Sequence, residues 1–262
     1  MRYNPEYDYY RVGRAKLYVT DPQDGARRII DSIGRGEKGY VCISNMRTTV
    51  YANTNPDYLE VMNGSLFNTP DGTPLVWCGK AWGLKNINRA CGPHIFEILL
   101  HDKASGLKHF FLGDTDETLA RMKLRLDSDY GVDIAGMYSP PFAPLEEYDL
   151  DGIAAMINGS GANIVWTSLR APKQDYLNAM LLPYLNDGIV LVGVGAAFRY
   201  LIGELKSPDG FLQKIGLAGL MFKRANSKPW KELVWYIKHS FYLMKYMVSI
   251  LFRRMVGIKY YE

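Results

Sequence analysis

The sequence predicts an α/β fold: a mainly parallel sheet flanked by helices, with an amphipathic helical appendage at the C-terminus. Three observations lead there. Short β-rich runs alternate with helical patterns between about residues 40 and 200, the signature of βα units feeding a parallel sheet. Each run ends where a helix-start signal begins. Past about Pro208 this alternation gives way to one long amphipathic stretch.

In chain order, Met1 to Tyr10 is polar and tyrosine-rich, without the basic patch and apolar stretch of a secretory signal. The strand candidates are Tyr40–Ser44, Leu66–Thr69, His109–Gly113, Asp133–Tyr138, Ala162–Ser168 and Ile189–Gly193. Helix starts fall between them: Asp57 before Tyr58–Met62, Thr73–Trp82 after a turn, Asp114 to Glu117 before Leu119–Leu126, and Pro172 opening Lys173–Leu185. Ser207-Pro208-Asp209-Gly210 reads as a linker, which divides the chain into a catalytic domain at 1–207 and a basic, aromatic appendage at 208–262. Within the appendage Pro229 opens a helix running to about Val256. On its wheel Lys231, Lys238, Lys245, Ser249 and Arg253 share one sector, and Leu233, Ile237, Met244, Met247, Val248, Leu251 and Met255 cluster opposite.

Composition narrows the function classes. Hydrophobic residues at 48% and charged residues at 22% describe a core-forming chain rather than a disordered one. A net charge of +4 is too small to indicate nucleic acid. Cys42, Cys78 and Cys91 are odd in number and lack C-x-x-C spacing, so neither a disulfide framework nor structural zinc is expected, and the reducing cytoplasm fits. Lys238, Lys245 and Arg253 interrupt the most apolar region, so no membrane-spanning helix is expected.

In a parallel sheet, ligands bind beyond the carboxyl ends of the strands, where loops gather and helix N-termini present N–H groups. The loops there contain Ser44-Asn45, Thr69-Pro70-Asp71-Gly72, Gly113-Asp114, Ala171-Pro172-Lys173-Gln174 and Gly193-Val194-Gly195. Asp71 reads either as a turn residue or helix cap, or as a general base taking a proton from an incoming hydroxyl. Arg89 is either a surface arginine or a fork of donors aimed at a diphosphate or carboxylate. Lys173 and Gln174 follow a helix-opening proline, in an arrangement that suits an anion as well as an ordinary helix start. Gly193-Val194-Gly195 lacks the third small residue of a dinucleotide fingerprint, because Phe198 occupies that position. That absence argues against an NAD-dependent oxidoreductase. Asp114/Asp116 is one of three D-x-D matches, so a metal role for it competes with helix capping. In the tail, Trp230, Lys231, Trp235, Lys238, Lys245, Arg253 and Arg254 suit contact with an anionic membrane surface; core packing and a partner-protein groove are the alternatives.

The order of these motifs resembles the WecG/TagA/CpsF glycosyltransferases, family 26, from about Tyr40 to Pro229. The resemblance rests on Thr-Pro-Asp-Gly at 69–72, Arg89 with Gly92, Phe-Leu-Gly at 111–113 and Ser-Gly-Ala-Asn-Ile-Val at 160–165. It continues through Ala-Pro-Lys-Gln-Asp at 171–175, Gly-Val-Gly-Ala-Ala-Phe at 193–198 and Gln213-Lys214-Ile215-Gly216-Leu217. It implies a Rossmann-like domain and an inverting transferase working without metal or other cofactor. The implied substrates are a UDP-sugar donor and a polyprenyl-diphosphate-linked sugar acceptor, met at the cytoplasmic face of the bacterial inner membrane. Asp71 would be the catalytic base and Arg89 its companion. Ser44, Asn45, Gly72, Gly113, Lys173, Gln174, Gly193, Gly195 and Arg224 would line the substrate site. The chain departs from the family pattern at His94, Arg199, Met221 and Lys228, which leaves glucose and N-acetylmannosamine-type donors both open. A non-catalytic, membrane-associated nucleotide-binding adaptor is the competing reading, and homo-oligomerisation is left open.

Overall fold

The computed structural model describes residues 8–205 and 229–262. Its centre is a six-stranded, all-parallel sheet in the order β4-β3-β8-β7-β5-β6. The strands are β3 (Gly39–Ser44), β4 (Phe67–Pro70), β5 (Lys108–Gly113), β6 (Asp133–Tyr138), β7 (Ile164–Ser168) and β8 (Val190–Gly193). All six expected strands are present, with ends moved by no more than two residues. The fold is α/β and Rossmann-like, as expected.

The inner strands β3, β7 and β8 are buried along their whole length. Their apolar residues therefore sort by parity onto two helical layers. Val41, Ile43, Phe111, Trp166 and Val192 pack toward α1 (Pro22–Gly34), α5 (Gly92–His101), α6 (Asp116–Arg125) and α9 (Ala197–Leu201). Cys42, Phe110, Val165 and Leu191 pack toward α7 (Leu150–Ser160) and α8 (Lys173–Leu181). The helical run expected to Leu185 turns 3-10 at Leu182–Tyr184, where Pro183 cannot donate to the helical ladder.

No pattern in the sequence marks an N-terminal hairpin, yet β1 (Tyr9–Val12) and β2 (Ala15–Tyr18) pair antiparallel. The hairpin lies between the main sheet and the tail. The Asn68 amide donates to the Lys16 carbonyl at 3.0 Å, and the Arg11 amide donates to the Tyr260 carbonyl at 2.9 Å. With α2 (Met46–Thr54), α3 (Pro56–Asn63), α4 (Thr73–Ala81) and the final helix α10 (Pro229–Met255), it encloses a third core. That core takes in Leu243, Ile250 and Tyr260 from the tail.

Two crossovers diverge from neighbouring strands in the middle of the sheet. From β5 the chain runs outward to the β6 edge, whereas from β7 it turns back to β8. Loops leaving neighbouring strands in opposite directions open a cleft at their carboxyl ends.

Candidate active site

Asp71 directly follows β4, and its backbone N–H donates to the Ser44 carbonyl at 2.7 Å, drawing the turn over the end of β3. Gly72 takes φ +138°, which L side chains rarely adopt, and forms the N-cap of α4 with no side-chain cap bond. Asp71 is therefore not a helix cap. Its carboxylate instead meets Arg89, with Nε 3.1 Å from Oδ1. The Arg89 segment is fixed from both sides: the Ala90 N–H donates to the Pro70 carbonyl at 3.0 Å, and the Thr69 hydroxyl donates to the Ala90 carbonyl at 2.8 Å. Both side chains keep about a quarter of their surface exposed, 26% for Asp71 and 27% for Arg89.

Burial raises the Asp71 pKa; the charge and hydrogen bond of Arg89 pull it back, as does His94, and the balance stays above the ordinary carboxylate value. A carboxylate poised this way is more basic than a surface aspartate while its charge stays paired with Arg89.

Across the rest of the edge, glycines mark close approaches. A Cβ on Gly113 (φ +123°) would lie 2.8 Å from the Ser168 carbonyl oxygen, and one on Gly92 would lie 2.9 Å from the Val194 oxygen. Gln174 is buried, and its Oε1 accepts the Gly195 N–H at 3.0 Å; the Ser168 hydroxyl donates to the Gly195 carbonyl at 2.5 Å. Gly193 lies directly against the Gln174 amide, where a Cβ would meet Nε2 at 2.7 Å. Gln174 thus shapes the Gly193–Gly195 loop from beneath. The Lys173 ammonium donates to the Ala143 carbonyl at 2.5 Å and sits 4.6 Å above the Tyr148 ring, tying α8 to the loop after β6. Ser44 is buried at the tip of β3, and its hydroxyl has no partner among the described residues. The Asn45 side chain caps α2, accepting the Arg47 and Thr48 amides at 2.9 and 3.2 Å. Arg224 lies outside the described residues.

Asp114 carries a different arrangement from the D-x-D reading. With φ +57°, its carboxylate receives Nε and Nη2 of Arg199 at 2.9 and 2.8 Å and the Thr118 hydroxyl at 3.1 Å. Burial alone would raise its pKa, but Arg199 and Thr118 bring it below the ordinary value. Among the described residues no group of three or more His, Cys, Asp or Glu side chains is placed to hold a metal.

The tail helix has two apolar faces. Leu243 and Ile250 are buried against the third core with Tyr246 and Met247 partly buried beside them, whereas Ile237, Phe241, Met244, Val248, Leu251 and Met255 are exposed. Met247, grouped in the sequence with the outward stripe, belongs to the docking side. Lys238, Lys245 and Arg254 are exposed and Arg253 is half-buried; Arg254 also donates to the Ala81 carbonyl at 2.9 Å, fastening α10 to α4. The Trp230, Lys231 and Trp235 side chains lie outside the described residues. No described helix is long and apolar enough to cross a membrane.

Two residues the motifs did not select act on the acid pair: His94, in the first turn of α5, and Tyr200, in α9. His94 and Tyr200 reach the Asp71–Arg89 pair only through the fold, so no local pattern announces those two.

Fold and site together describe an α/β protein that carries, at the carboxyl edge of its parallel sheet, a carboxylate of raised basicity paired with an arginine. Residues 10–256 match the glycosyl transferase WecG/TagA/CpsF family. The chain belongs to that family: it is a glycosyltransferase of cell-envelope glycan synthesis, a class that joins a donor's sugar to a lipid-linked acceptor.

Proposed function

We propose that this protein transfers a hexose, glucose or an N-acetylmannosamine type, from a UDP-sugar to a polyprenyl-diphosphate-linked sugar with inversion at the anomeric carbon. The product would serve bacterial exopolysaccharide or other envelope glycan synthesis. The Asp71–Arg89 pair at the carboxyl edge is the observation that carries this reading. Asp71 takes the proton of the acceptor hydroxyl as its oxygen attacks, and the bond to the diphosphate breaks on the opposite face. The N-termini of α4 and α5, which no side chain caps, offer N–H groups to anionic oxygen near the pair. Gly195, where a Cβ would meet nothing within 4 Å, leaves the loop backbone open to a nucleotide, and Gly113 and Gly193 let the neighbouring strand ends close up beside it. Ser44, Asn45, Gly72, Lys173 and Gln174 complete or brace its walls, and Arg224 of the appendage is assigned to the diphosphates.

A lipid-linked acceptor places the enzyme at a bilayer surface. The exposed apolar face of α10, flanked by Lys238 and Lys245, supports peripheral attachment to anionic lipid at the cytoplasmic face of the inner membrane.

The deciding experiment is Asp71→Asn assayed with radiolabelled UDP-sugars and a short-chain lipid-linked acceptor. Transfer should fall by at least about a hundred-fold, the usual worth of a positioned base, with UDP binding retained. Near-normal turnover would remove Asp71 from the base role.

A further inference from the structure

We propose that Asp175 is a positioning residue for the glycosyl transfer: held by the Tyr58 hydroxyl, it fixes the first turn of α8 beneath the end of β8, so that Gln174 sets the Gly193–Gly195 loop against which the donor lies. The inference rests on the donor reading given above and extends it to side chains that touch no substrate.

Measured contacts place the carboxylate. The Tyr58 hydroxyl donates to Asp175 Oδ2 at 2.5 Å, joining residues 117 positions apart in the chain. A Cβ on Gly193 would lie 3.1 Å from Asp175 Oδ1 and 2.7 Å from Gln174 Nε2, so the first turn of α8 meets the strand end with no room between them. Tyr58, Gln174 and Asp175 are each no more than 2% exposed.

The supports on either side are themselves fixed. Tyr58 is buried in the third core, its ring 5.2 Å from that of Tyr51 and 5.4 Å from that of Tyr176. Gly193 is paired with Thr167 in the sheet, and the next N–H, of Val194, donates to the Thr167 carbonyl at 2.9 Å. Asp175 stands between α3 and the sheet, and its place sets that of Gln174 one residue earlier. Gln174 Oε1 then accepts the Gly195 N–H at 3.0 Å while the Ser168 hydroxyl donates to the Gly195 carbonyl at 2.5 Å. Both polar groups of Gly195 are thereby turned to the protein, and its α-carbon, where a Cβ would meet nothing within 4 Å, is left open to a ligand. A buried carboxylate costs desolvation that an apolar side chain would avoid. What it adds is direction, because a hydrogen bond fixes distance and angle where apolar packing lets a helix slide.

Tyr58→Phe keeps the ring and deletes the donor; Asp175→Ala deletes the acceptor; Asp175→Asn keeps an oxygen for Tyr58. In ¹⁵N-labelled protein, at a temperature where every variant is folded, the Gly195 N–H should exchange at least about ten-fold faster in the first two, with the β7 amides still protected. Both should bind UDP about ten-fold more weakly in calorimetric titration, as expected of a loop that keeps its binding geometry about a tenth of the time. Asp175→Asn should restore both readouts to within about three-fold of wild type. Unchanged Gly195 exchange in Asp175→Ala would overturn the proposal. So would equal loss of protection at Gly195 and β7, which marks general destabilisation, or an Asn variant as impaired as the Ala one. Faster Gly195 exchange with unchanged UDP affinity would overturn the positioning role as well. Wild-type protein that binds no UDP would sink the donor reading instead, whereas the exchange experiment judges the Tyr58–Asp175–Gln174 tie without any ligand.

Discussion

At Asp71 burial and pairing oppose each other, and the pH profile should expose both. The base must be ionised, so kcat/KM should fall as pH drops through its pKa, which lies above the ordinary aspartate value. Arg89→Gln removes the charge that holds this pKa down, and the acid limb should shift to higher pH as activity drops. A limb that stays put would mean another group titrates. Asp175 offers an independent check on stability. Burial, opposed by hydrogen bonding from Tyr58 and Gln174, raises its pKa from 3.8 to about 6. The folded state therefore holds this proton more tightly than the unfolded chain does. Relative to Asp175→Asn, wild type should be most stable below about pH 4 and lose that advantage as pH rises through about 6, as thermal melts across the range would record. Of these residues the motifs exposed Asp71 and Arg89, because turn chemistry and strand ends are written locally. Gln174 was found for its position but not for its support of the glycine loop, and Tyr200 left no trace, because its neighbours are more than a hundred residues away in the chain.

Among the elements, α10 separates two effects that a helical wheel merges. Ile250 is 2% exposed and Phe241 is 64% exposed, although both are large apolar residues of one helix. Ile250→Ala should cost about 2–5 kcal/mol of folding stability in denaturant titrations. The triple change Phe241→Ser, Met244→Ser, Val248→Ser should leave stability nearly untouched and reduce flotation with anionic liposomes. Unchanged flotation would transfer that face to a protein partner. Truncation at Pro229 is a poorer test, since it also strips Leu243, Ile250 and Tyr260 from the third core. The sheet strands were legible because continuous β-rich runs ended in, or just before, Ser, Gly or Pro. The β1–β2 hairpin was not, since Arg11, Lys16 and the tyrosines around them look like a solvated terminus until the tail covers them.

On the scale of the whole molecule, the strand order sets where chemistry occurs, and no strand by itself reveals that order. The alternation of strands and helices is legible in the residues; the return of β7 to β8 and the outward run from β5 to β6 emerge only with the sheet assembled. The boundary drawn after residue 207 follows a change in composition, yet the described end of the tail is part of a core shared with the hairpin, α2 and α4. The tie between Arg254 and the end of α4 has a mechanical consequence. The nine residues of α4 separate that fastening from the Asp71 turn by about 13 Å, at 1.5 Å per residue. That helix joins the tail's fastening to the Asp71 turn as one short, stiff strut, so under the proposed role of Asp71 the anchorage and the base share a single rigid element.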